Sequence, residues 1–216
     1  MTTEAEFRHA FRNRWNGHEQ EAITLLGQVV ELLNGIFPDE ALPSAMPMFG
    51  TLLGLVRNNA LIPWDDDLDL LIFGTHYLAL KAHLNQQLQT PPYQHLFLQT
   101  HAQSGLLRLC SRNSPSRRAA WPFVDLFCAQ QKQQHFVIER QPTLRFSRAH
   151  LEPFTCKQQW GLTLRWPSAP QALLFQHYGC HCLKLAQSPR WCHETHQKVA
   201  SLQLPLLKAI QVSRGK

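Results

Sequence analysis

Four carboxylates crowd into five positions at Asp65, Asp66, Asp67 and Asp69, in the stretch PWDDDLDLLIF, residues 63 to 73. Carboxylates this close do not easily stay ionised together without a compensating charge. A divalent cation supplies one, and an all-oxygen donor set suits Mg²⁺ or Mn²⁺. The spacing supports that chemistry. On a strand, residues two apart share a face, so Asp67 and Asp69 point the same way, and Asp65 joins them if the strand begins that early. Asp66, Leu68, Leu70 and Ile72 take the opposite face, where the apolar members can enter a core. Three plainer readings compete. Acidic residues complement a helix N-terminus, but LDLLIF is short and apolar on both parities, which favours a buried strand. An EF-hand loop started at Asp65 would need glycine and glutamate where Leu70 and His76 stand. The third is a solvated acidic loop.

Two further features surround the cluster. Gly50-Thr51, in FGTLLGLVR, lies fifteen residues before Asp65. A glycine followed by a small hydroxyl residue at a strand end lets the backbone approach a phosphate and offers it N–H and O–H donors. Downstream, VDLF places a lone carboxylate, Asp125, in an otherwise apolar strand. Such a carboxylate is costly unless it is paired or metal-bound. An ion pair with a nearby arginine is the plainer alternative to a metal.

The stretch FGTLLGLVRNNALIPWDDDLDLLIF resembles the signature of the LicD/fukutin family of phosphotransferases, members of the nucleotidyltransferase-fold superfamily, and VDLF resembles the family's following IDIF-type motif. The resemblance implies an α/β (α+β) fold with a nucleotidyltransferase-like mixed β-sheet flanked by helices. It implies a metal-dependent enzyme that moves a phospho-alcohol, such as phosphocholine or ribitol phosphate, from a CDP-linked donor to a glycan hydroxyl, releasing CMP. Carried over residue by residue, Asp67 and Asp69 match the metal-binding pair and Asp65 the leading acidic position. Asp125 matches the third carboxylate, which completes the metal site or acts as general base on the acceptor. Gly50 and Thr51 match the phosphate-facing turn, and Arg57 matches the arginine after GTLLG. Arg57, or one of Arg112, Arg117 and Arg118, would balance transition-state charge. Trp64 packs beneath the acidic turn or stacks on a base. The match departs from the family pattern at Asn58-Asn59-Ala60 and does not extend into the last third of the chain. The implied acceptor is a surface or capsule glycan, lipooligosaccharide or teichoic acid precursor, with peripheral association where the acceptor is membrane-bound. Two rivals share the residues: a nucleotidyltransferase moving NMP from an NTP to a small molecule, protein or RNA, and a non-catalytic nucleotide- or glycan-binding module.

A second set of ligand-type residues lies near the C-terminus. Cys180, His181, Cys182, Cys192, His193 and His196 fall within 17 residues. That density could supply the four ligands of a structural Zn²⁺, but CxC followed by CHxxH matches none of the common zinc spacings. Buried free cysteines are ordinary core residues, and Cys110 and Cys128, in strand candidates, are expected in the core.

The elements that must hold these side chains are legible in outline. Ile23, Leu26, Val30 and Leu33 predict a helix over residues 3–35 ended by Gly35. Residues 38–47 hold three prolines and read as a connector; 48–57 suit a strand followed by a short helix. A strand is expected at 67–73, a helix at 75–89 capped by Thr75, and strands at 95–102, 106–112, 122–129 and 135–140. The basic segment NSPSRRAA reads as a loop. Helices are expected at QALLFQHYG and ETHQKVASLQ, with loops elsewhere in the last third. The 216 residues suit a single domain, 1–216, with a catalytic core at about 20–150 and a helical or loop part at about 151–216. The 44% apolar and 17% charged residues are a globular composition with no bias toward disorder. A net charge of +6 points weakly to phosphate-bearing partners, but no nucleic-acid-binding motif appears, so none is expected. The charged N-terminus and the lack of an 18-residue apolar run predict a cytoplasmic protein without signal peptide or membrane span.

Overall fold

A break splits the N-terminal helical run. The computed structural model describes residues 3–38, 42–101, 104–114, 120–189, 191–192, 197–199 and 201–215, and it has α1 (Glu4–Ala10) and α2 (Glu19–Ile36) where one helix was expected. Asn16 and Gly17 between them take φ of 47° and 87°, a left-handed conformation that no α-helix continues through. Gly35 stays inside α2.

Residues 45–47, within the expected connector, form a strand, β1 (Ala45–Pro47), and α3 (Phe49–Asn58) follows at once. Then come β2 (Leu68–Phe73), α4 (Tyr77–Gln87), β3 (Leu96–His101), β4 (Leu106–Ser111), β5 (Phe123–Lys132), β6 (His135–Ile138) and β7 (Gln141–Ser147). Thr75 is not the cap of α4. His76 takes that position, and the Tyr77 N–H donates to the Glu139 carboxylate instead. These seven strands form one sheet in the order β1-β2-β5-β4-β3, with β6 paired to the far half of β5 and β7 to β6. The pair β2–β5 is parallel and the others are antiparallel. The expected α/β class, a mixed sheet flanked by helices, is the architecture observed.

The alternation of β2 determines where the helices lie. Leu68, Leu70 and Ile72 join Leu107, Leu109, Val124 and Leu126 in a core under α2 and α4, against Leu26, Val29, Leu33, Leu80 and Leu84. Leu71 and Phe127 face the other way, into a second core with Leu52 and Leu53 of α3. Cys110 and Cys128 are buried as expected, and burial pushes both thiols up to about 12.

The last third holds more strand than its prolines imply. After α5 (Arg148–Leu151), β8 (Thr155–Gln159) and β9 (Leu162–Trp166) form a hairpin. Next is α6 (Pro170–Tyr178), at the expected QALLFQHYG, with Leu173 and Leu174 in the α3-side core. Short strands β10 (Leu185–Gln187), β11 (Trp191–Cys192), β12 (Gln197–Lys198) and β13 (Gln203–Pro205) precede α7 (Leu206–Ser213). The described residues of ETHQKVASLQ therefore lie in strands and connections, not a helix. Among the described residues, no helix is long and apolar enough to cross a membrane.

Candidate active site

The parallel register of β2 and β5 decides the site. Asp69 is the register partner of Asp125, and Asp125 is in turn the partner of Arg108 on β4. Three charged side chains therefore stand in a row across adjacent strands, on the face turned away from α2. Asp67, one residue before β2, completes the group: ligand oxygens of Asp67, Asp69 and Asp125 all lie within 4.8 Å of one another. Oxygens of Asp65, Asp66 and Asp67 form a second group at the same spacing. The geometry thus brings Asp65, Asp67, Asp69 and Asp125 together, with Asp67 common to both groups.

The start of α3 is stapled to β2 at Asp69. The Asp69 N–H donates to the Thr51 hydroxyl at 2.8 Å, the Met48 N–H donates to the Asp69 carbonyl at 3.0 Å, and the Gly50 N–H bonds the Asp69 carboxylate. Thr51 is 2% exposed, so its hydroxyl is committed to the backbone of the acidic strand rather than turned toward a phosphate. Gly50 serves a carboxylate as well. A Cβ built on it would fall 2.0 Å from Asp65 Oδ2, so only glycine lets the Asp65 carboxyl lie against α3. The second glycine of GTLLG has a similar cause: a Cβ on Gly54 would meet the Ala60 carbonyl oxygen at 2.5 Å.

Burial acts first on the electrostatics of this group. It lifts the Asp69 carboxyl well above the ordinary carboxylate range, and Asp67, Asp125 and Asp65 add to the lift; the Gly50 N–H opposes it. Burial, then Asp67 and Asp66, raise Asp65 in the same way, helped by a hydrogen bond between the Asp65 and Asp67 side chains. These are carboxylates whose mutual repulsion the surrounding chain has not cancelled. That chemistry, with hard oxygen donors converging from two strands, fits a divalent cation.

Two side chains unremarked in the sequence support the acidic turn. Arg14 is buried with its Nη1 3.7 Å from Asp66 Oδ2, and the Trp121 indole N–H donates to the Asp66 carbonyl. Trp15 stacks on Trp121 with centroids 5.6 Å apart and donates to the Ile62 carbonyl. Trp64 is 3% exposed, packs edge-on against Phe11 and donates to the Gln187 carbonyl, so it packs rather than presents a face to a base.

The arginines divide. Arg108 makes the bidentate pair to Asp125, Nε to Oδ1 at 2.6 Å and Nη2 to Oδ2 at 2.8 Å. Its place in the chain, within the strand LLRLCS, does not by itself mark it as the partner of Asp125. Arg57, expected at a phosphate, lines the cavity beside Asp65 and donates to the backbone carbonyls of Cys182 and Leu185. Arg112 donates to the Gln94 carbonyl and lies over the Phe97 ring, away from the row formed by Arg108 and the carboxylates. Arg117 and Arg118 lie outside the described residues.

Beside the acidic turn opens a cavity of about 760 Å³. Its near wall includes Gly50, Trp64 and Asp65; its far wall is the C-terminal segment from His177 to Pro189. Tyr178 reaches toward the acid group from that wall. Although 40% of the residue is exposed, burial of the hydroxyl, then Asp69, Asp65 and Asp67, hold its phenol well above the ordinary range. The sequence marked Cys180, His181 and Cys182 of this wall only as candidate zinc ligands, not as part of a cavity. Of the Cys/His set, Cys182 is buried and Cys180 exposed. His193, His196 and the Cys192 side chain lie outside the described residues, so the zinc reading, which the spacing disfavours, falls partly there.

The family described as LicD/FKTN/FKRP, nucleotidyltransferase domain, matches residues 44–169, more than half of the chain. The chain belongs to the LicD/FKTN/FKRP family. The match holds every element that carries an acidic side chain of the site and ends one residue before α6. The LicD match therefore covers the sheet, while the far wall of the cavity comes from sequence beyond it. No curated protein matches the chain.

Proposed function

We propose that this LicD-family transferase moves a phospho-alcohol from a CDP-linked donor to a glycan hydroxyl, releasing CMP. The observation that carries the reading is the convergence of Asp67, Asp69 and Asp125 from two strands within 4.8 Å, beside a cavity large enough for a nucleotide-sized ligand. Asp67, Asp69 and Asp125 would hold Mg²⁺ or Mn²⁺. A bound dication supplies Lewis-acid polarisation of the phosphoryl group and neutralises the diphosphate's charge.

The residues of the chain supply the rest. The α3 start fixes Asp69 through three hydrogen bonds, so the acid pair is held before substrate arrives. The bidentate bond to Arg108 orients Asp125, leaving it one acceptor position on each oxygen. Asp125 is therefore better suited to hold a cation than to take the acceptor's proton. The cavity receives the donor, and the wall from His177 to Pro189 excludes water from its far side, which limits hydrolysis of the donor.

Activity and its cation dependence test the reading. The chain is incubated with Mg²⁺ and, separately, CDP-choline, CDP-ribitol, CDP-glycerol, CTP and ATP, with glycan acceptors. CMP release from a CDP-alcohol is the expected result. Pyrophosphate release from an NTP instead would move the reading to nucleotidyl transfer, and nucleotide binding without turnover would move it to a binding module. The double variant D67N/D69N is expected to lose turnover by at least about 1,000-fold, roughly 4 kcal/mol of transition-state stabilisation. Its melting temperature should be unchanged or higher, because the amides relieve repulsion among buried carboxylates. A folded D67N/D69N chain with near-normal turnover would overturn the proposal.

A further inference from the structure

The charge of the acid group is not left entirely to a metal. Asp67, Asp69 and Asp125 carry three formal negative charges, and Arg108 stands in the same row with one positive charge. Its position is tightly determined. Nε and Nη2 take both oxygens of Asp125. The guanidinium carbon lies 3.5 Å from the centroid of the Phe123 ring, and the side chain is 11% exposed. Arg108 also lies within electrostatic reach of Asp67. A guanidinium held by a fork, a ring and its own strand has little freedom to swing away.

Phosphoryl-transfer sites that clamp both attacking and leaving oxygens with two metal ions need carboxylates free to bridge the pair. Here the third carboxylate already has one acceptor position on each oxygen occupied by Arg108. Within the Asp67, Asp69 and Asp125 group, the three carboxylates and the guanidinium leave two net negative charges, which one dication balances; Asp65 belongs to the neighbouring group and is hydrogen-bonded to Asp67. We propose that Arg108 stands in for a second metal ion: it neutralises Asp125 from the β4 side and restricts the site to a single divalent cation. The inference rests on the reading that the three carboxylates bind a cation, and it assigns Arg108 a positioning and charge-setting role that acts through Asp125.

The test is the stoichiometry of Mn²⁺ binding to the full chain, read from the EPR signal of the free ion and by calorimetry, with no substrate present. The wild-type chain is expected to bind one Mn²⁺. Arg108→Gln keeps an amide donor to Asp125 but removes the charge, and it should bind the ion roughly tenfold more tightly, the scale of one unit charge at the edge of a partly screened site, or take up a second ion. Arg108→Lys keeps the charge and should bind one ion within about threefold of wild type. A role confined to packing predicts the reverse for Arg108→Gln, since loosening Asp125 weakens the site. Two Mn²⁺ in the wild-type chain, or unchanged or weaker binding in Arg108→Gln, would overturn the inference. The wild-type count decides even if Arg108→Gln does not fold. No Mn²⁺ bound by the wild-type chain at any concentration would remove the cation reading itself, an outcome distinct from a count of two.

Discussion

At the scale of residues, a glycine is defined by the carboxyl group beside it. Gly50 leaves room for Asp65, whose Oδ2 would stand 2.0 Å from any Cβ there. Gly50→Ala must therefore push the Asp65 carboxyl toward Asp67 or shift the start of α3, and the same start fixes Asp69 through Thr51 and the Gly50 N–H. The expected outcome is a fall in turnover of about 100-fold or more, of the order seen when one catalytic donor is misplaced. The accompanying loss of stability should stay near 1–3 kcal/mol, as for other overpacked positions. Steady-state kinetics and thermal melts on one preparation check both numbers. Comparable losses of activity and stability from a chain that is largely unfolded would instead mark Gly50 as a folding position.

At the scale of elements, α3 links two parts of the chain that are far apart in sequence. Its N-terminus holds the acidic strand, and Arg57 in its last turn holds the carbonyls of Cys182 and Leu185. The sequence placed Arg57 after GTLLG and pointed to a phosphate; the structure uses it as a clamp on the cavity's far wall. Arg57→Met removes those bonds, a change worth about 1–3 kcal/mol locally. The segment from Tyr178 to Pro189 should then be cut faster by limited proteolysis. The donor KM should rise several-fold with a smaller change in kcat, since the acid group itself is untouched. A fall in kcat with KM unchanged would place Arg57 at the reacting phosphate instead.

At the scale of the molecule, the family match stops at residue 169, yet the fold does not. Leu173 and Leu174 of α6 pack in the same core as Leu52, Leu53 and Phe146. Full burial of each such leucine contributes about 1.5–3 kcal/mol, against a whole-domain stability of roughly 5–15 kcal/mol. A chain ended at residue 169 is therefore expected to melt far below the full chain or to aggregate on expression, with α3 uncovered. Circular dichroism melts of the two chains compare them directly. A truncated chain as stable as the full one would show that α6 and the segments after it contribute only to the cavity.

Local pattern made much of this legible in advance. The parity of LDLLIF placed Leu68, Leu70 and Ile72 in the core and Asp69 on the other face, because side chains alternate on a strand whatever its neighbours are. The strands around residues 96–101, 106–111 and 123–132 and the helix at 170–178 followed from apolar runs, and the acidic motif pointed to its family. Where local signals compete, the reading failed. Asn16 and Gly17 broke a helix that periodicity continued, three residues in a proline-rich stretch paired with β2, and the β8–β9 hairpin formed where prolines suggested loops. The functions of individual polar side chains were least legible. That Asp125 lies beside Asp69, that Arg108 rather than Arg112 answers it, and that Arg57 grips residues 182 and 185 all depend on which strands pair, in what register, and which distant segment folds back. The sequence by itself determined which residues could be buried and which carried charge. Only the tertiary structure decided which charges meet, because a pair of side chains from separate strands has no spacing in the chain to record it.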